Sequence, residues 1–145
     1  MKIDLNRKEY LLLLDMLYMA SWVLDAHTIG TRKTTKGYHL LEQKILGHAG
    51  EFDVGDEWVE QGEDAIYHTR KYEDESPALT YIDQFEEDTF WDELIDRLAR
   101  RDVSEDLDQD LDEVDIDDWF PPYENLVQSY AEEFKRNGLG NLRIR

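Results

Sequence analysis

Apolar residues dominate one long stretch near the N-terminus, from Tyr10 to Leu24. Just before it, Asn6 and Glu9 stand three residues apart, which is the spacing of a capping box at a helix N-terminus. The pattern predicts a helix from Asn6 to about His27. Because apolar side chains occupy most of its faces, we expect this helix to be covered on most sides. It would then be the central helix of a bundle or the seam of a dimer.

A second helix is predicted after a polar loop that carries three of the basic residues. Tyr38, Leu41 and Ile45 repeat at helical spacing, and the glycines that follow would end the helix. The loop before it, residues 28–37, holds the only basic cluster of the chain, formed by Arg32, Lys33 and Lys36. Residues 51–75 mix aromatic residues with acids and glycines at no sustained period. A short helix and a hairpin both remain open for that stretch.

Two helix starts are predicted in the second half of the chain. Ser76 and Pro77 have the residue types of an N-cap and a first helical position. Thr89 and Asp92 then stand at capping-box spacing, and the apolar period after them predicts a helix to about Arg101. The sequence therefore predicts two consecutive helices between residues 76 and 101.

The segment before the C-terminal helix is unusually acidic. Residues 102–118 contain ten carboxylates, whose mutual repulsion opposes a regular helix. Pro121 and Pro122 predict an extended step, and the last helix is then expected over residues 123–136. It should end at Gly138, in a left-handed stop.

These elements predict an all-α fold. We expect a compact bundle of about five helices around the hydrophobic N-terminal helix, with an acidic irregular segment before the last helix. The chain has 145 residues, 41% of them hydrophobic, which is the size and composition of one domain spanning residues 1–145. The absence of cysteine excludes disulfides, thiolate nucleophiles and cysteine-ligated zinc. The N-terminal apolar run is shorter than the ~20 residues that a bilayer span needs, so we expect a soluble, cytoplasmic protein.

The negative charge is concentrated in the middle of the chain. Residues 51–118 hold 27 of the 35 Asp and Glu residues but only five of the 16 Lys and Arg residues. A field of this sign repels nucleic acid and anionic lipid and attracts basic partners. We therefore expect no direct nucleic-acid binding and no membrane binding. A mimic of nucleic acid, with carboxylates spaced like phosphates, is an alternative explanation of the same charge.

The expected function is a non-enzymatic interaction or regulatory protein whose acidic segment contacts a basic protein surface, without a cofactor. No nucleophile elbow or other catalytic motif is present. The apolar N-terminal helix favours a homodimer through that helix. The residues predicted to contact the partner are the aspartates of the acidic segment, Asp106, Asp108, Asp110, Asp112, Asp115 and Asp117.

A metal-binding protein or an enzyme with histidine and carboxylate ligands is the competing class. Helical spacing would pair His39 with Glu42 and Asp64 with His68. Neither the HExxH pattern nor the paired ExxH pattern of di-iron bundles occurs in the chain. These four residues are the candidate metal ligands.

Overall fold

The computed structural model describes residues 3–26 and 33–143, and the all-α prediction is confirmed. The helices and strands are α1 (Arg7–Asp25), α2 (Lys36–Leu46), β1 (Val59–Gln61), β2 (Ile66–His68), α3 (Arg70–Glu75), α4 (Pro77–Leu107) and α5 (Ile116–Asn137). Three short 3-10 helices cover Ala49–Phe52, Leu111–Glu113 and Gly138–Asn141. No helix within the described ranges is both long enough and apolar enough to cross a membrane.

The chain divides into two compact units, Met1–Gln84 and Phe85–Arg145. Helix α4 begins in the first unit and ends in the second. The single domain expected from chain length stays a prediction. Residues 28–32 of the predicted basic loop, including Arg32, lie outside the described residues, as does the predicted helix end at His27.

The predicted capping box at the start of α1 is present. The Asn6 side chain accepts a hydrogen bond from the Glu9 backbone N–H at 3.2 Å, and the Glu9 carboxylate accepts one from the Asn6 N–H at 2.8 Å. Each side chain thus satisfies a backbone donor that the first helical turn leaves unpaired. A cap of this kind stabilises a helix by about 1 kcal/mol.

The core of the first unit forms where α1 meets α2 and the segment that follows it. Tyr10 and Leu14 of α1 are almost fully buried. The Tyr10 ring stacks on Phe52 with 4.2 Å between centroids, and its hydroxyl donates to the Ile45 carbonyl at 2.6 Å. The remaining buried members of this core are Leu46, Ala49, Val54, Val59 and Tyr72.

The opposite face of α1 is exposed. Leu12, Met16 and Val23 are 60, 62 and 62% exposed, and their spacing of four and seven residues places them on one side of the helix. Within the described part of the chain, α1 is therefore not covered on most sides, in contrast to the sequence expectation. The predicted homodimer through this helix stays a prediction.

Residues 51–75 contain both elements that the sequence left open. Strands β1 and β2 form an antiparallel hairpin in which Val59 pairs with His68 and Gln61 with Ile66. The six-residue helix α3 follows directly. Thr69 caps it, accepting a hydrogen bond from the Tyr72 N–H at 3.1 Å.

The two helices predicted between residues 76 and 101 are one helix, α4, of 31 residues. The prediction of a break at Thr89 was wrong because no glycine or proline lies between Pro77 and Leu107 to stop the helix. Ion pairs between residues one turn apart also stabilise α4. A side-chain nitrogen of Arg97 lies 2.9 Å from a carboxylate oxygen of Glu93, and the same distance separates Arg100 from Asp96.

Helix α5 begins at Ile116, and the predicted extended step at Pro121 and Pro122 was wrong. Both prolines lie inside the helix, where each removes a backbone donor at a cost of about 3 kcal/mol. The carbonyls deprived of partners belong to Asp117 and Asp118, which are exposed, so water can reach them.

Contacts between α4 and α5 in the second unit offset part of this cost. The Tyr123 hydroxyl donates to Asp96 at 2.7 Å and holds the pKa of that carboxyl below its ordinary value. The Arg100 guanidinium lies 5.5 Å from the ring centroids of both Trp119 and Tyr123. Such stacked cations contribute about 0.5–1 kcal/mol each at exposed sites. The aromatic residues on either side of the prolines thus keep the segment helical.

Candidate functional site

The six aspartates predicted to contact a partner are all exposed. Within the described residues, none of them forms an ion pair, because the arginines of α4 bind other carboxylates. These pairs are Arg97 with Glu93, Arg100 with Asp96, and Arg101 with Asp102 and Glu105. The charge of residues 106–117 is therefore left largely unneutralised by the described part of the chain.

Two of these aspartates have structural roles that sequence reasoning missed. Asp110 accepts a hydrogen bond from the Asp112 N–H at 3.1 Å and caps the 3-10 helix Leu111–Glu113. Asp115 accepts one from the Asp117 N–H at 3.1 Å and caps α5. The sequence signal for such a cap is an aspartate that stands two residues before the backbone N–H that it can bind in the first turn of a helix. Two members of the alternating series therefore have a local structural role.

Of the four candidate metal ligands, the structure brings together His39 and Glu42. The Nδ1 atom of His39 lies 3.6 Å from the Glu42 carboxylate, and its Nε2 atom lies 3.4 Å from Asp25. Sequence reasoning missed Asp25 because it lies on a different helix. The Nε2 contact is not aligned as a hydrogen bond.

The predicted pairing of Asp64 with His68 was wrong because these residues lie in a hairpin. Helical spacing does not apply there: Asp64 is in the turn and His68 ends β2. Across the described ranges, no three His, Cys, Asp or Glu side chains converge where they could hold a metal ion.

His68 lies in an aromatic environment. Its ring stacks on Tyr72 with centroids 4.3 Å apart, and the Tyr18 ring meets it edge-on at 5.2 Å. Both ring nitrogens are buried and have no hydrogen-bond partner in the described structure. Burial lowers the pKa of His68 to about 4, although the nearby Asp15 carboxylate acts in the opposite direction. The ring is therefore neutral at pH 7.

A half-buried carboxylate connects α3 and the start of α4 to α1. Asp15 accepts hydrogen bonds from the Tyr72 hydroxyl at 2.8 Å and from the Ser76 hydroxyl at 2.7 Å. Burial, together with the bond to Asp15, raises the pKa of Tyr72 well above its ordinary value. These bonds fix the Tyr72 ring on which His68 stacks.

A pocket of about 450 Å³ opens beside His68, between α1, α2, β2 and α3. We call it the aromatic-acidic pocket. Its aromatic wall consists of Tyr18, Trp22, Tyr67 and His68, and its carboxylates are Asp25, Glu42 and Glu73. Among the described residues that line it, none is a lysine or an arginine.

Hydrogen bonds to β2 fix one wall of this pocket. The Gln43 side-chain amide accepts from the Ile66 N–H at 2.7 Å and donates to the Ile66 carbonyl at 2.9 Å. The neighbouring Tyr67 ring packs over Gly62, where an added Cβ would lie 2.6 Å from a ring carbon. Residues that are distant in sequence thus form a preorganised wall.

The geometry of this pocket is suited to binding. In the described structure, neither nitrogen of the neutral His68 ring is hydrogen-bonded to a carboxylate or hydroxyl, the kind of partner that orients a general base. Comparison of the chain with protein-family models, with curated proteins and with solved structures gave no match.

Proposed function

We propose that the protein is a non-enzymatic interaction protein whose acidic segment, residues 102–118, contacts a basic protein surface. The observation that carries this proposal is the unneutralised charge of the segment. Its partner-facing aspartates are exposed, and the nearby arginines are engaged by other carboxylates.

Four of the six aspartates are free of capping roles and can be changed without removing a helix cap. They are Asp106, Asp108, Asp112 and Asp117. Their carboxylates form no hydrogen bond or ion pair with the described residues, although Asp112 is attracted to Arg100 at longer range, so most of their charge is available to a cationic partner. Complementary exposed charges accelerate the association of two proteins, and the attraction between them weakens as the salt concentration rises.

The test compares two variants of equal net charge. In the first, the four free aspartates become asparagine. In the second, four exposed carboxylates of the first unit become amides, through Asp56→Asn, Glu60→Gln, Glu63→Gln and Asp64→Asn. Fluorescence anisotropy measures the binding of a labelled peptide of alternating lysine and serine, and of a folded basic protein such as cytochrome c.

We expect the first variant to bind both probes about tenfold more weakly than the second. Raising the salt from about 50 to 200 mM should reduce wild-type binding and narrow the difference between the variants. Equal loss in both variants would mean that only overall charge matters, and the proposal would be wrong.

A further inference from the structure

The aromatic-acidic pocket of the first unit has the chemistry of a site for an organic cation. Four aromatic side chains line it, and the faces of aromatic rings attract ammonium and guanidinium groups. Its carboxylates add negative charge at the same place. We propose that this pocket binds an ammonium or guanidinium group carried on an apolar stem, as in a lysine or arginine side chain or a free alkylamine.

Glu42 is the strongest argument for a cation. Its side chain is only 12% exposed, and within the described part of the chain its one ion-pair contact is the imidazole of His39 at 3.6 Å. A largely buried carboxylate is costly unless a cation or hydrogen-bond donors compensate it. A ligand cation in the pocket would supply that compensation, since no lysine or arginine is found among the lining residues that the structure describes.

The remaining lining excludes the other ligand classes. Three carboxylates repel an anion, and an uncharged apolar ligand would desolvate them without compensation. Leu46 and Ile66 supply apolar surface for a stem. A volume of about 450 Å³ lies within the range of small-molecule sites, about 300–1,000 Å³. The site is independent of the acidic segment, since all its residues lie before residue 84.

The experiment is an NMR titration of the full-length, ¹⁵N-labelled protein. The first arm uses butylammonium and butylguanidinium, with butan-1-ol and butyrate as uncharged and anionic controls. The second arm uses a glycine-serine peptide with one central lysine, and the same peptide with norleucine in its place. Shifts of the Trp22 indole N–H and of the Ile66 and Tyr67 amides report occupancy.

We expect both cations to shift these resonances and the controls to leave them unchanged. If the lysine peptide binds more tightly than butylammonium, the ligand is a side chain carried on a protein. If the two bind with equal affinity, the ligand is a free amine. Glu42→Gln should weaken binding about tenfold, whereas Glu63→Gln, an exposed change outside the pocket, should not.

A second variant keeps the test decisive if Glu42→Gln impairs folding. Tyr67 is 52% exposed, so Tyr67→Ala removes one ring of the aromatic wall with little loss of core packing. It should also weaken cation binding several-fold. Shifts produced equally by butan-1-ol, or no shifts with either cation, would overturn the proposal. Either result would leave the proposed role of the acidic segment untouched, because that is measured separately.

Discussion

Acidification should destabilise the first unit through His68. The unfolded imidazole takes up a proton near its ordinary pKa of 6.5, whereas burial holds the pKa of the folded ring at about 4. Between these values the unfolded chain binds more protons than the folded chain. Stability must therefore fall as the pH falls through this window, and it changes no further from this cause below about pH 4.

The structure sets the size of the effect. A pKa of 6.5 in the unfolded chain and of about 4 in the folded chain corresponds to a change of about 3 kcal/mol in the free energy of unfolding, at about 1.4 kcal/mol per pKa unit. The ring is partly accessible, so solvent screening reduces this figure. We expect a loss of about 1.5 kcal/mol between about pH 7.5 and pH 5. Among the described residues, the titratable groups that contact the ring or act on its pKa include Asp15 and Tyr18 of α1 and Tyr72 of α3.

Urea unfolding of the wild type and of His68→Phe at both pH values isolates this contribution. Phenylalanine preserves the stacking on Tyr72 and removes both unpaired nitrogens, so the variant should lose about 1.5 kcal/mol less on acidification. The control is His48→Phe, which removes an imidazole that is 49% exposed. Equal losses of stability on acidification in the wild type and in His68→Phe would refute the reasoning. An NMR titration that places the pKa of His68 in the folded protein near 6.5 would also refute it.

Three further predictions concern the second unit and the exposed face of α1. Gly138 has a φ of 50°, a backbone conformation that is strained for a residue with a side chain. Gly138→Ala should therefore lower the free energy of unfolding, measured in urea, by about 1 kcal/mol, while Gly140→Ala should leave it nearly unchanged. Asp115→Ala removes the cap of α5 and should cost about 1 kcal/mol, whereas Glu124→Ala, an equal charge change on the same helix, should cost much less in thermal unfolding. Sedimentation should show a concentration-dependent dimer that Met16→Lys dissociates, and a wild-type monomer throughout the micromolar range would contradict the homodimer.

Local signals in the sequence were sufficient for several elements. The start of α1 followed from Asn6 and Glu9, because a capping box needs only residues three apart. The start of α4 at Pro77 and the end of α5 before Gly138 likewise rest on residue types with strong local preferences.

The errors arose where contacts distant in sequence decide the structure. Proline preference favours an extended step at Pro121 and Pro122, but the packing of Arg100 on Trp119 and Tyr123 comes from another helix. The aromatic-acidic pocket was not predicted for the same reason. Its walls come from four elements, and no short pattern in the sequence records their convergence.

The amide of Gln43 has a consequence for the hairpin as a whole. A two-stranded sheet leaves the outer backbone groups of each strand open to pairing with another chain. Because Gln43 engages both the N–H and the carbonyl of Ile66, it occupies the outer edge of β2 as a neighbouring strand would. Replacing it with leucine would open that edge, and self-association by strand addition would become a hazard of an otherwise helical protein.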